Sequence, residues 1–405
     1  MSAPDHCAFV LDRAWLIDRF LETDATAVFR DEWINKHDLS GDVSDILNDE
    51  WVVDGEVVYD RNASTDQADV FDSEWAAGRD LSGAFNAIFK STWLDSRHAM
   101  PDLEHELESQ LLDETDDGEL VYQCKRSTGG HEYCVFHRES NDDIDMAEMI
   151  LQTMRGETGS SSVNLDRTTS EDYNYSFKQE SSQIGHSWDV VSAECNTADE
   201  YKRRSKQVIG ASLPDLVLTY EDLTGRDRYP ADFRFCTIDS VDLSSARVSH
   251  ELKFEYIQIK NVILLSDAQV EGSVSLGGAQ VEGPVSLVGA QVEGDVSLGG
   301  AQVKGDVSLS GAQVEGDVWL DGAQVEGSVS LGGAQVDGDV RLDDAQVEGY
   351  FWLDGAQVEG SVRLGGAQME GGVWLDGAQV EGSVRLDGAQ VEGSVRLDDA
   401  QVEGD

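Results

Sequence analysis

The chain has 405 residues, enough for two or three domains, and its 80 Asp and Glu against 29 Lys and Arg give a formal net charge of −51. A surface this acidic has no basic face to neutralise phosphates, which excludes free nucleic acid as a partner. No stretch approaches the roughly 20 apolar residues of a membrane span, and the five cysteines, an odd number, suggest no disulfide framework. The sequence therefore predicts a cytoplasmic protein.

The acidic residues are spread along the whole chain and alternate with apolar residues, as in folded segments rather than in a disordered tail. In molar salt the Debye length falls to about 3 Å, so a surface of this charge repels itself little there and strongly in dilute buffer. We interpret the charge as salt adaptation and expect the protein to come from a halophile.

Residues 1–115 show apolar spacings typical of helices, and part of this region is duplicated. Ten residues of segment 28–51 recur at an offset of 42 in segment 70–93. In the first copy these residues are Val28, Phe29, Glu32, Trp33, Asp38, Leu39, Ser40, Gly41, Ile46 and Trp51. We expect each copy to form two helices with its tryptophans in the core, and the matched acids to be solvated or capping residues rather than a metal site. The predicted fold class is α+β and multidomain, with a mainly helical N-terminal region.

Segment 116–155 contains a motif of residue types that bind metal ions. Two thiols and two imidazoles fall within fourteen residues of it. Zinc takes four tetrahedral nitrogen or sulfur ligands, and a Cys-x-x-His pair supplies two of them on one tight turn. We expect a structural zinc knuckle held by Cys124, Cys134 and His137, with His131 as the local candidate for the fourth ligand. The more distant candidates for that position are Cys195 and Cys7. A catalytic zinc with an open position, and a buried strand without metal, are the alternatives.

Residues 156–230 begin with a stretch rich in Ser, Thr, Asp, Glu and Asn, which predicts a linker followed by a poorly defined segment. Residues 231–267 carry bulkier apolar side chains near the frame of the repeat that follows them. We expect this second stretch to be an N-terminal transition into the repeat domain, which occupies residues 268–405.

From Ala268 to Asp399 the chain repeats Ala-Gln-Val-Glu-Gly-Ser/Asp-Val-x-Leu-x-Gly twelve times without gaining or losing a residue. Apolar residues at positions 1, 3, 7 and 9 predict strands, while the glycines and aspartates at positions 5, 10 and 11 predict bends. Stacking on neighbouring coils about 4.8 Å away buries the apolar rows that a single unit leaves exposed. We expect a quadrilateral β-solenoid with two 11-residue units, about 22 residues, in each coil. Coils of three units, about 33 residues, and a β-meander are the alternatives.

The segment Ala231-Asp-Phe-Arg-Phe235 and the Ala-Gln-Val-Glu-Gly sides resemble the pentapeptide-repeat family, in which a small residue two before a central apolar one faces a four-sided coil. The alternating six-residue side departs from a strict five. Cysteine followed by Tyr-Cys-Val-Phe-His upstream of such a solenoid resembles haloarchaeal pentapeptide-repeat-like proteins, a likeness limited to Cys124, Cys134 and His137. The sequence Val-Glu-Gly-Asp-Val is similar to sequences found in bactofilins. That resemblance implies filament formation.

The exposed positions of the repeat carry the remaining functional candidates. Position 4 is Glu except at Lys304 and Asp337, so carboxylates stack up the rod, where they either bind cations or, as we favour, confer solubility. Position 8 changes from Ser to Trp and Arg in the later units, and these residue types are enriched at protein interfaces. The predicted binding residues are Trp319, Trp352, Trp374, Arg341, Arg363, Arg385 and Arg396.

The sequence thus predicts a non-enzymatic structural or protein-interaction scaffold with a structural zinc site. No insertion interrupts the repeats and neither His nor Cys follows Ser266, which argues against a solenoid enzyme of the pectate-lyase kind. Self-association through an open strand edge at the end of the solenoid, as in a bactofilin-like polymer, is one alternative. An enzyme with catalytic zinc in the N-terminal region is another. The expected partner is therefore an unidentified protein or a second copy of the chain.

Overall fold

In the computed structural model of the chain, the described residues are 7–11, 25–39, 43, 46–47, 70–77, 88–90, 113–114, 120–124, 133, 136–137, 150, 175–180, 187–193, 207–221, 223 and 230–404. They belong to two compact units, Ala8–Cys124 and a second unit made of Met1–Cys7 with Lys125–Asp405. No helix in these stretches is long and apolar enough to span a lipid bilayer.

The unit Ala8–Cys124 contains short helices and a small antiparallel sheet. Its helices are α1 (Ala25–Val28), α2 (Asp31–His37) and α3 (Ser73–Ala76). Its strands are β1 (Val10–Leu11), β2 (Asp113–Glu114) and β3 (Leu120–Gln123), in the order β1-β3-β2. The prediction of a mainly helical N-terminal region is wrong, because the described part of this region contains little helix and its longest helix, α2, has seven residues.

The helices are short because the chain turns to pair the two copies of the repeat with each other. α2 ends where Asp38 adopts the left-handed conformation, with φ 54° and ψ 51°. The isolated antiparallel bridges that follow or precede the helices are Phe29–Phe89 and Leu47–Phe71. The two bridges are equivalent under the 42-residue offset, so each copy pairs with the other. Short helical turns separated by extended residues produce the same apolar spacing as a continuous helix, which explains the wrong prediction.

Aromatic rings from both copies form the core of this unit. Phe29, Phe71 and Phe89 are at most 2% exposed, with ring centroids 5.3 Å apart for Phe29 and Phe89 and 6.2 Å for Phe71 and Phe89. Trp33 is buried against Phe71, and Trp75 stacks on the same ring. Trp33 therefore lies in the core as predicted, whereas Trp75 is half-buried against it. The other recurring tryptophans lie outside the described residues.

Residues 156–230, predicted to be a linker and a poorly defined segment, contain regular structure. The strands β4 (Tyr175–Glu180) and β5 (Ser187–Ala193) pair with each other in antiparallel fashion. Further along, Ser212–Leu213 is the first strand of the solenoid ladder and pairs in parallel with Thr237–Ile238. The ladder thus includes strands upstream of residue 231, where the sequence placed the transition.

The solenoid has four parallel sheets, two of eight strands and two of nine. From Val241 onward, successive strands of each sheet pair in register at a spacing of 22 residues. The predicted quadrilateral coil of about 22 residues is therefore confirmed. We number the four faces in chain order starting from the strand Arg247–Val248. The first face consists of Arg247–Val248, Gln269–Val270, Gln291–Val292, Gln313–Val314, Gln335–Val336, Gln357–Val358, Gln379–Val380 and Gln401–Val402. The second consists of Ala231–Asp232, Leu252–Lys253, Val274–Ser275, Val296–Ser297, Val318–Trp319, Val340–Arg341, Val362–Arg363 and Val384–Arg385.

The other two faces complete each coil. The third consists of Ser212–Leu213, Thr237–Ile238, Gln258–Ile259, Gln280–Val281, Gln302–Val303, Gln324–Val325, Gln346–Val347, Gln368–Met369 and Gln390–Val391. The fourth consists of Leu216–Val217, Val241–Asp242, Ile263–Leu264, Val285–Ser286, Val307–Ser308, Val329–Ser330, Phe351–Trp352, Val373–Trp374 and Val395–Arg396. The first face lies opposite the third, and the second lies opposite the fourth, so the first and second faces share an edge of the rod.

Glycine serves two different purposes at the corners of the coil. At position 11 the backbone has positive φ, for example +67° at Gly322, and Asp344 occupies the equivalent position with φ 58°. At position 5 the coils approach too closely for a side chain, since a Cβ on Gly327 would lie 2.6 Å from the Asp306 nitrogen. Position 5 is therefore restricted by space and position 11 by backbone conformation.

Part of the acidic charge has a structural role at the corners. At position 6 the Asp295 carboxylate accepts a hydrogen bond from the Asp317 amide at 2.8 Å, and Asp317 accepts one from the Asp339 amide at 2.7 Å. At position 10 the Asp343 carboxylate accepts one from the Gly365 amide at 2.7 Å. These side chains satisfy amides that the short strands leave outside the ladder. The aspartates are therefore needed for the coil itself as well as for surface charge.

Candidate interaction faces and a candidate metal centre

The structure separates the predicted Trp and Arg residues into two groups on opposite faces. Because successive 11-residue units point in opposite directions, position 8 of one unit lies on the second face and position 8 of the next lies on the fourth. The second face carries Trp319, Arg341, Arg363 and Arg385. The fourth carries Trp352, Trp374 and Arg396. The predicted residues therefore offer two separate surfaces.

On the second face the cations are held by neighbouring acids and by one indole ring. The Arg341 guanidinium lies 5.9 Å from the ring centroid of Trp319 and 3.1 Å from the Asp321 carboxylate. Arg363 lies 3.4 Å from the Asp339 carboxylate. These side chains are about one third exposed, so each ion pair contributes only about 0.2–1 kcal/mol to stability.

On the fourth face four side chains form a compact group, which we call the aromatic cluster: Tyr350, Trp352, Trp374 and Arg396. The Tyr350 ring centroid lies 5.7 Å from that of Trp352 and 5.2 Å from that of Trp374, and the two indoles are 6.1 Å apart. The Arg396 guanidinium lies 4.4 Å from the Trp374 centroid. Tyr350 is 41% exposed. Sequence reasoning missed Tyr350, although its place at position 6, where Ser or Asp is usual, was a signal.

The packing of the aromatic cluster depends on a local change in the repeat. Gly372 replaces the usual Ser or Asp at position 6, and a Cβ there would lie 2.7 Å from the Trp374 Nε1. The glycine therefore leaves the space into which the indole folds. The Nε1 atoms of Trp352 and Trp374 make no hydrogen bond within the described structure. The cluster thus presents apolar rings and a cation together, a combination typical of protein-binding surfaces.

The carboxylates at position 4 divide between the first and third faces. The first-face series is uninterrupted and contains Glu271, Glu293, Glu315, Asp337, Glu359, Glu381 and Glu403. On the third face Lys304 forms an ion pair with Glu282, and this hydrogen bond raises the pKa of Lys304. The first face is therefore the more strongly anionic of the two, and cation binding along it stays a prediction.

The candidate metal ligands lie in both units. In the unit Ala8–Cys124, the Cys124 amide donates to the Phe9 carbonyl at 3.1 Å, which extends the ladder of β1 and β3. In the other unit, the Cys7 sulfur is 3.4 Å from His137 Nδ1. Cys7, Cys124 and His137 are residues that could hold a metal ion. Of the predicted ligands this set includes Cys124 and His137, whereas Cys134 and His131 lie outside the described residues.

The chemistry of the three residues suits a metal. Nε2 of His137 lies 2.8 Å from the Ile209 carbonyl, which can only accept, so Nε2 carries the proton and the Nδ1 lone pair points toward Cys7. Metal-binding histidines usually have their second nitrogen fixed in this way. Thiolates and an imidazole are the ligands that zinc prefers.

A buried charged group at the start of the solenoid was not anticipated. Arg234 donates to both carboxylate oxygens of Asp232, at 2.9 and 2.8 Å, and both residues are 2% exposed. Beside them, burial raises the pKa of Glu255 to about 7, although its own backbone, Arg234 and Lys253 act in the opposite direction. Glu255 Oε2 makes no hydrogen bond in the described structure. This carboxyl therefore titrates near neutral pH.

The pentapeptide repeats family, as nine copies of the repeat, matches residues 265–313 and 298–346. No curated protein and no solved structure matches the chain. The matched segments lie inside the four-sided solenoid, where small and apolar residues fill the coil as the family resemblance implied. Structural or interaction scaffolding is the role that such a solenoid suggests. Residues 265–346 of this β-solenoid are thus similar to the pentapeptide repeats family.

Proposed function

We propose that the protein is a non-enzymatic interaction scaffold that binds a partner protein through the aromatic cluster of its fourth face. The observation that supports this most is the group of three rings, one of them 41% exposed, on a rod whose other outward positions are mainly Ser, Gln, Asp and Glu. Burying one or two such rings contributes a large share of the binding energy in many protein complexes.

The double variant Trp352→Ser with Trp374→Ser tests this proposal. Serine occupies the equivalent position in the three preceding coils of the face, at Ser286, Ser308 and Ser330, so the variant restores the usual residue and we expect it to fold. We expect at least a tenfold loss of affinity for the partner captured by the wild-type protein. Trp319→Ser, on the opposite face, is the matched control and should bind normally. Equal binding by all three proteins would contradict the proposal.

We further propose that Cys7, Cys124 and His137 hold a structural zinc ion, with Cys134 or His131 as the fourth ligand. The contact between Cys7 and His137 and the ligand chemistry of Cys124 support this proposal. Zinc bound there would cross-link the chain at residues far apart in sequence and would stabilise the fold by selecting the folded state.

The zinc proposal predicts about one zinc per chain in the purified protein and a thiolate-to-metal absorption band after exchange for Co²⁺. Cys124→Ser should lower the zinc content well below one and remove part of that band. Cys236→Ser is the matched control, because that buried thiol donates to the Val208 carbonyl at 2.6 Å and lies outside the cluster. A zinc-free wild-type protein, or unchanged zinc in Cys124→Ser, would show that the assignment is wrong.

Salt adaptation and a cytoplasmic location are also part of this proposal. The net charge of −51 supports the first, although the corner aspartates have an additional role as hydrogen-bond acceptors. The aromatic cluster determines the choice of partner at high and at low salt.

A further inference from the structure

Two neighbouring faces of the solenoid carry opposite charges at the same height. The carboxylate row consists of Asp337, Glu359 and Glu381 on the first face, and the arginine row consists of Arg341, Arg363 and Arg385 on the second. Each acid precedes its arginine by four residues, so every acid shares a coil with one arginine. Both rows advance by one coil at each step, about 4.8 Å.

The carboxylate row is available for binding. All three acids are exposed, and within the described solenoid none of them forms an ion pair. The described first-face strands next to these acids, from Gln313–Val314 to Gln401–Val402, carry no Lys or Arg.

The guanidinium groups of the arginine row can donate further hydrogen bonds. Arg385 is exposed and donates only to the Ser383 hydroxyl, at 3.1 Å. Arg341 and Arg363 each contact one aspartate and remain 34% and 37% exposed. Because a guanidinium has five N–H donors, each of these arginines can donate to a second carboxylate.

We propose that the arginine row of one chain pairs with the carboxylate row of a second copy. The two rows have the same spacing because both follow the coil, so three pairs form together without accumulating mismatch. An unrelated partner would share this spacing only by chance, which is why a second copy is the occupant that the structure favours.

The position of the two faces also determines the size of the assembly. The faces meet at one edge of a four-sided rod, so each contact turns the next copy by about a quarter turn. Since paired residues lie in the same coil, the contact adds no rise along the axis. Four parallel copies therefore close into a ring in which every arginine row and every carboxylate row is used.

The overall negative charge does not prevent this contact at moderate salt. In about 0.15 M salt the Debye length is about 8 Å, which screens charges on the far sides of the rods more than charges in direct contact. In molar salt the Debye length is about 3 Å and the ion pairs themselves weaken. The association should therefore be present at 0.15 M salt and reduced at 1 M or above.

Light scattering on size-exclusion fractions of the full chain tests the proposal. In 0.15 M salt we expect a wild-type mass of about four times the 44.2 kDa of one chain. Two charge-reversed variants should each be monomeric. The first carries Arg341→Glu, Arg363→Glu and Arg385→Glu, and the second carries Asp337→Arg, Glu359→Arg and Glu381→Arg.

Mixing the two variants provides the decisive outcome. The first variant then has acids on both faces and the second has arginines on both, so only alternating contacts are attractive and the mixture should recover the wild-type mass. The control variant carries Glu326→Arg, Glu348→Arg and Glu370→Arg on the third face and should assemble normally. A wild-type monomer at 0.15 M salt, or a mixture that stays monomeric, would overturn the proposal. Partner binding by the aromatic cluster lies on another face and would be unaffected.

Discussion

Replacing Gly327 by alanine is expected to destabilise the solenoid by about 3 kcal/mol or more. The new Cβ would lie 2.6 Å from both the Asp306 nitrogen and the Gly305 carbonyl carbon of the preceding coil. Both atoms belong to backbone, so relief requires the coils to move apart, which lengthens hydrogen bonds and opens the packed interior. The midpoint of urea unfolding and the hydrogen exchange of amides in the adjoining coils measure the effect.

The matched control is Gly322→Ala, five residues earlier. Gly322 has φ +67° with no atom within 4 Å of an added Cβ, and Asp344 already occupies an equivalent position. The substitution should therefore cost only about 1 kcal/mol, the usual penalty for a side chain in the left-handed region. If the two alanine variants were equally stable, the close approach of coils at position 5 would be disproved.

Glu255→Gln is expected to stabilise the protein by about 2–3 kcal/mol at pH 8 and to have almost no effect at pH 4. Burial raises the pKa of Glu255 from 4.5 to about 7 in the folded protein. The folded state therefore keeps the proton at pH values where the unfolded chain has lost it, and this contribution to stability is fully present below pH 4.5. It is lost as the pH rises through 7, where a charge must be held in a buried position.

Urea unfolding of wild type and variant at several pH values measures this difference. The comparison removes the contribution of the other acids, because both proteins share them. Glu293→Gln, which removes an exposed carboxylate, is the control and should give a difference near zero throughout. A constant offset between Glu255→Gln and wild type from pH 5 to pH 8 would show that the carboxyl does not titrate in this range.

The solenoid could be predicted from the sequence because one pattern determines it. The alternation of Ala, Val, Val and Leu with outward residues fixes the strands, and the constant 11-residue length fixes the register. A coil of two units, 22 residues, was the favoured prediction, and a coil of three units was its alternative. The separate purposes of the glycines at positions 5 and 11 could not be predicted, because sequence shows that glycine is required without showing whether space or φ is the reason. Only the occurrence of Asp344 and Asp399 at position 11 gave a hint.

The N-terminal region and the candidate sites were predicted less well, because their contacts join residues that are far apart along the chain. The pairing of Phe29 with Phe89 joins residues far apart in sequence, and no local spacing indicates it. The same holds for Cys7, which the sequence offered only as one of several distant ligand candidates. The division of the Trp and Arg residues between opposite faces followed from the coil size, yet they were treated as one surface.

The central claim, that the fourth face carries the interaction site, is tested most directly by a binding titration of the captured partner. The measurement compares wild type, Trp319→Ser and the Trp352→Ser, Trp374→Ser double variant at one salt concentration. We predict the same affinity for the first two proteins and at least a tenfold weaker affinity for the double variant. Undiminished affinity of a folded double variant would contradict the claim.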